Sequence, residues 1–183
     1  MKTSPLFTSL CALSFSAICL PAVIVDAADD GVRITSTEKA SSADEKFMHE
    51  ASQGALLEIR LGQLATEKAV RPDVKAFAAQ MVADHGKSGE ELSPIAAKNG
   101  LILAGDLDSK SQSKLDKFSK LSGEEFDKAY VEDMVKDHEE DVADFEKAAA
   151  HAQDPDLKKF ATKTLAVVRT HLEKIKAIAA AQK

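Results

Sequence analysis

From Phe47 onward, apolar side chains return at helical rather than strand spacing. Phe47, Ala51, Gly54, Leu61 and Ala65 recur every three or four positions and mark one face of a first long helix ending near Val70-Arg71-Pro72. Ser42-Ala-Asp-Glu45 ahead of it has the form of a capping box. Pro72 suits the first turn of a second helix, whose stripe is Val74, Phe77, Ala78, Met81, Leu92 and Ala96 and which stops at Asn99-Gly100. Gly86, Gly89 and Pro94 weaken its second half, and Pro94 predicts a kink. Between Gly100 and Gly123, turn residues surround a short amphipathic piece (Leu115, Phe118, Leu121), long enough to travel the length of a bundle. Ser122 then reads as the cap of a third long helix carrying Phe126, Tyr130, Met134, Val142, Phe145 and Ala149. Gln153-Asp154-Pro155 turns into a fourth, with Leu157, Phe160, Ala161, Thr164, Val168, Ile175 and Ile178. Four helices of about 27 residues would each reach roughly 40 Å. The pattern predicts an all-α four-helix bundle, two antiparallel hairpins joined by a long crossover with a short helix. Pro72-Asp-Val-Lys-Ala-Phe77-Ala and Pro155-Asp-Leu-Lys-Lys-Phe160-Ala open the second and fourth helices alike, a short trace of internal duplication.

The N-terminus has a different character. Lys2 and the apolar run from Leu6 to Val25, broken by Pro21, have the make-up of a secretory signal, and Val25-Asp26-Ala27 places small residues for cleavage after Ala27. The competing reading is an uncleaved anchor, since the run nearly reaches spanning length. The expected organisation is a signal peptide over 1–27, a flexible polar lead over 28–41, and the bundle over 42–183. The protein would be periplasmic or secreted, with no membrane span after cleavage. Both cysteines, Cys11 and Cys19, fall in the signal, so the mature domain has no thiol for a disulfide, a thiolate metal site or haem attachment.

Composition narrows the function classes. Of the 183 residues 44% are apolar, too many for a disordered polyelectrolyte, while a net charge of −6 gives no electrostatic footprint for nucleic acid or anionic lipid. The acidic third helix and the lysine-rich fourth read as solvated faces with some mutual attraction. There is no Gly-rich phosphate loop, no Gly-x-Ser-x-Gly and no His-Glu-x-x-His. The expected role is binding rather than catalysis, with a homo-oligomer or a protein partner left open.

The remaining chemistry lies where the stripes are interrupted. His85 stands four after Met81, His138 four after Met134, and His171 three after Val168; Glu58 breaks the first helix between Gly54 and Leu61. Counted from Pro72, Glu58 lies 14 residues before and His85 13 after; counted from Pro155, His138 lies 17 before and His171 16 after. One polar residue per helix thus converges at mid-bundle. Neutral imidazoles with a carboxylate suit a single transition metal ion, zinc, copper or iron. The alternative is a buried polar layer without metal. Met81, Met134 and Tyr130 are secondary candidates, Asp84 and Asp137 are candidate outer supports or solvated carboxylates, and His49 and His151 are expected to be exposed.

Ala51-Ser-Gln-Gly-Ala-Leu-Leu-Glu58-Ile-Arg-Leu-Gly62, Met81-Val-Ala-Asp-His85, Leu121-Ser-Gly-Glu-Glu-Phe-Asp-Lys-Ala-Tyr130, Met134-Val-Lys-Asp-His138 and His171, in this order, resemble a bacterial family of exported ferritin-like four-helix domains. That family is usually labelled a domain of unknown function and sometimes an outer-membrane protein. The resemblance covers roughly residues 43–180 and implies a ferritin-like bundle in the cell envelope, without an activity. A di-iron carboxylate centre needs Glu three positions before the histidines of two helices. Val82 and Val168 stand there, so a mononuclear histidine-rich site is the better match. The function expected is metal handling or envelope stress protection; the alternative is a structural or interaction module of the envelope.

Overall fold

The computed structural model describes residues 40–182, so the expected signal peptide and nearly all of the expected polar lead lie outside the described residues. Five helices follow in order: α1 (Ser42–Lys68), α2 (Pro72–Lys98), α3 (Ser109–Ser119), α4 (Gly123–His151) and α5 (Pro155–Ala180). Pro72 and Pro155 each occupy the first turn of their helix, where the missing N–H has no intrahelical partner to lose. The cap of α1 falls one residue earlier than the expected box: Ser41 accepts from the Asp44 amide. Ser122 precedes α4 but makes no side-chain cap bond, and Gly123, at φ 62°, starts the helix in a conformation that favours glycine. Helix α2 continues through Pro94 to Lys98 as one element.

α1 pairs with α2 and α4 with α5, while α2 packs on α5 and α1 on α4. The ends fix the directions. Asp127, in the first turns of α4, accepts hydrogen bonds from the amides of Val70 (3.1 Å) and Arg71 (2.8 Å) in the α1–α2 turn. At the opposite end Asn99 donates to Asp154 and accepts from the Ala40 amide, joining the end of α2 to the α4–α5 turn and the start of α1. The chain therefore leaves α2 at one end and enters α4 at the other. The segment containing α3 makes that crossing alongside α1, held by Gln53 on Asp108 and by Lys68 on the Ser119 and Leu121 carbonyls. The expected pair of antiparallel hairpins with a long crossover is the observed architecture.

The hairpins mirror one another in detail. Asp44 near the start of α1 binds the amides of Gln153 and Asp154, as Asp127 near the start of α4 binds those of Val70 and Arg71. In both cases the bonded amides lie two and one residues before the helix-opening proline. Each carboxylate satisfies backbone donors that no helix could. Gly62 marks a close contact of the first hairpin, since a Cβ there would lie 2.9 Å from the Ala78 carbonyl oxygen and 2.9 Å from Val82 Cγ2.

Buried apolar residues fall into two clusters. One contains Leu61, Phe77, Met81, Phe126, Tyr130, Met134 and Ile175; the other contains Met48, Leu92, Phe145, Phe160, Leu165 and Val168. Along α2, α4 and α5 the changeover falls at His85, His138 and His171, and along α1 it falls in the turns before Glu58. A polar layer divides the core where the sequence stripes are broken.

Candidate metal centre

All four interrupting residues are buried: Glu58 at 3% exposure, His85 at 7%, His138 at 0% and His171 at 1%. Helical spacing brings them there, because each occupies an inward position on its own helix. The three imidazoles pack face and edge, with ring centroids 6.0 Å apart for His85 and His138, 5.6 Å for His85 and His171, and 5.5 Å for His138 and His171. Phe77 closes one side, 6.0 Å from the His138 ring and 6.3 Å from that of His171.

Each ring is anchored through one nitrogen. His85 Nδ1 lies 3.0 Å from Glu58 Oε2. His138 Nδ1 lies 2.9 Å from the Met134 carbonyl oxygen, and His171 Nε2 lies 2.8 Å from Asp84 Oδ2. A carbonyl or ionised carboxylate can only accept, so the anchored nitrogen carries the hydrogen in every case. The other nitrogens, His85 Nε2, His138 Nε2 and His171 Nδ1, are buried and have no hydrogen-bond partner. The three side chains offer ring nitrogens within 4.8 Å of one another. An imidazole held by an oxygen on one side with a free lone pair on the other is the form a metal ligand takes.

Of the aspartates in the two Asp-His pairs, Asp84 holds a histidine of the layer, though one on another helix. It receives the His171 N–H and, on the same oxygen, the Gln80 amide at 3.0 Å, and Lys174 in turn donates to Gln80. Asp137, the matching residue on α4, instead takes Lys114 at 2.6 Å. Glu58 spans two rings, with Oε2 on His85 and Oε1 3.5 Å from His138 Nδ1, beyond a good hydrogen bond. Asp141 was not singled out by the sequence. It stands three residues after His138, hence on the same face, and its carboxylate forms a second close group with Glu58 and His138. The signal was its i+3 spacing from an inward histidine, hidden within a helix acidic along its whole length. His49 and His151 are exposed, and the Tyr130 hydroxyl is buried without a partner.

The electrostatics follow from burial and from Glu58. Burial would raise the Glu58 carboxyl, but the His85 charge and hydrogen bond, with His138 and His171 beyond, hold it below the ordinary value. Burial would lower His85, and Glu58 outweighs this so that it rises. Burial pulls His138 down and takes His171 down to about 4. Asp141 is pushed up to about 8 by burial and by the Glu58 charge. Near neutral pH the layer therefore holds an ionised Glu58 and two uncharged imidazoles with available lone pairs.

Fold and layer together define a class: an all-α bundle of two crossed-over hairpins with a buried histidine–carboxylate layer at its middle. The chain belongs to the family described as Domain of unknown function (DUF4142), whose profile matches residues 32–178. The fold is shared with a DUF305 fragment from Deinococcus radiodurans at TM-score 0.66 and 14% identity, covering 76% of this chain and 96% of that one. It is shared equally with CopM in the Cu(I)-bound form, at TM-score 0.64 and 15% identity over 76% and 96%. A DUF305 protein from Streptomyces coelicolor, described as secreted, matches at TM-score 0.64 and 13% identity over 76% and 93%. The chain matches none of the curated proteins. At these identities the likeness concerns the fold alone. Among the described residues no helix is long and apolar enough to cross a membrane.

Proposed function

We propose that this protein binds one transition metal ion through His85, His138 and His171, with Glu58 beside them, and serves metal handling or stress protection in the cell envelope. The observation that carries the reading is the set of three buried, unpartnered ring nitrogens, each on a ring whose other nitrogen is tied down. Leaving such nitrogens dry and unbonded costs roughly 1–3 kcal/mol apiece, a cost that a metal ion removes, displacing any proton from His85 Nε2 as it binds. Three imidazoles suit zinc, copper or iron. Copper is the first ion to try, because one protein sharing the fold carries Cu(I) and because Met81 and Met134, a helical turn before His85 and His138, are fully buried soft side chains. Export rests on the signal-like segment over 1–27, and a periplasmic or secreted location would follow from it.

The test is metal content and affinity. Chelator-stripped protein is incubated with Cu⁺ under reductant, Zn²⁺ or Fe²⁺, desalted and assayed for metal. The expected result is about one ion per chain, lost when any of the three histidines is changed to Ala. A wild type that stays metal-free with all three ions overturns the reading and leaves a register-setting polar layer in its place.

A further inference from the structure

Glu58 is only half used by the histidine layer. Its Oε2 holds His85, while Oε1 is buried and accepts no hydrogen bond. A carboxylate oxygen of Asp141 and a ring nitrogen of His138 lie within 4.8 Å of a Glu58 oxygen and of each other. No lysine or arginine among the described residues pairs with Asp141; the nearby Lys114 is taken by Asp133 at 2.7 Å and Asp137 at 2.6 Å. Two carboxyl groups thus face one another in a niche where, among the described residues, no lysine or arginine pairs with either, and His85 on Glu58 Oε2 is the one basic group bound to them.

The niche is reached from outside. A groove of about 730 Å³ between α1, α3 and α4 is lined by both Glu58 and Asp141, and carboxylates outnumber lysines along it eight to four. Hairpin symmetry supports the pairing. Glu58 stands 14 residues after Asp44 and Asp141 14 residues after Asp127, the two aspartates that bind the opposite turns. Equivalent positions of the two hairpins therefore present carboxylates to one point.

We infer that Glu58 and Asp141 form a second cation subsite, on the α3 side of the histidine layer, for an oxygen-preferring divalent ion of the Mn²⁺ or Fe²⁺ class. The two carboxyl groups, Asp141 releasing its proton as the ion binds, give a hard ligand set with water from the groove, and the adjoining imidazole favours Mn²⁺ or Fe²⁺ over Ca²⁺. The subsite shares Glu58 and His138 with the three-histidine centre but does not need His85 or His171 as ligands.

Mn²⁺ binding to the chelator-stripped full chain, followed by electron paramagnetic resonance and by calorimetry, is the test. One Mn²⁺ per chain is expected, weakened about ten-fold or more by Asp141→Asn or Asp141→Ser and retained by His171→Ala. Thermal melts of each variant confirm the fold, and Asn keeps the size of Asp. Absence of Mn²⁺ binding, equal binding by both Asp141 variants, or its loss in His171→Ala overturns the subsite. If copper or zinc binds and Mn²⁺ does not, this inference fails while the three-histidine reading stands; the reverse result separates them the other way.

Discussion

Glu58 Oε2 lies 3.0 Å from His85 Nδ1 between the two helices of the first hairpin, with both side chains nearly sealed from solvent. This contact fixes which nitrogen of His85 carries the hydrogen and leaves Nε2 free. Glu58→Gln keeps the size and removes the charge. Metal affinity at the histidine layer is expected to fall about 10- to 100-fold, the usual effect of losing an outer support. Competition titration with a chromophoric chelator measures this, and an unchanged affinity would detach Glu58 from the centre.

The carboxylates that bind opposite turns carry a second prediction. Asp127 takes amides of Val70 and Arg71, and Asp44 takes those of Gln153 and Asp154; both are buried. Changing either to Ala leaves part-buried or buried backbone donors without their acceptor and should cost roughly 1–3 kcal/mol in urea unfolding. Because the two sites lie at opposite ends of the bundle, the double variant should lose about the sum.

Glycine substitutions in α1 should separate close approach from flexibility. Gly62→Ala drives a methyl group against the Ala78 carbonyl and Val82, and is expected to destabilise by about 1–3 kcal/mol. A methyl group at Gly54 would meet nothing within 4 Å, so Gly54→Ala should stabilise by roughly 0.5–1 kcal/mol through helix propensity. Thermal melts of the pair read the contrast directly, and shifts of the same sign would contradict it.

Asp133 gives a pH dependence away from the histidines. Burial and Asp137 push its carboxyl up to about 6, against the pull of Lys114. A folded value above the ordinary 3.8 means that between the two the native state keeps a proton the unfolded chain has lost. This contribution to stability therefore falls as pH rises through that window, and the penalty is complete above it. Asp133→Asn should stabilise the metal-free protein by up to about 2 kcal/mol near pH 7.5 and by little near pH 3.5. Equal effects at both pH values in denaturant unfolding would refute it.

Much of the centre could be read from spacing. The 3.6-residue period assigned an inward face to each helix, and on those faces Glu58, His85, His138 and His171 were the residues out of place. Distances counted from Pro72 and Pro155 put them at one height, and the described helices bring them together there. Asp141 is not legible in the sequence, because helical periodicity cannot separate one inward carboxylate from the acidic face surrounding it. The rotation of α4 against α1 decides that, and rotation comes from packing.

Local pattern was enough for the helices, their order, the hairpins and the level of the polar layer, because these follow from the apolar period, the prolines and the chain lengths between them. Packing was needed to establish which nitrogen of each imidazole is tied and which is free, that Asp84 supports His171 while Asp137 holds Lys114, and that Glu58 meets Asp141 across the hairpins. Those are contacts between residues far apart in the chain, set by angles and rotations of packed helices that no local pattern encodes.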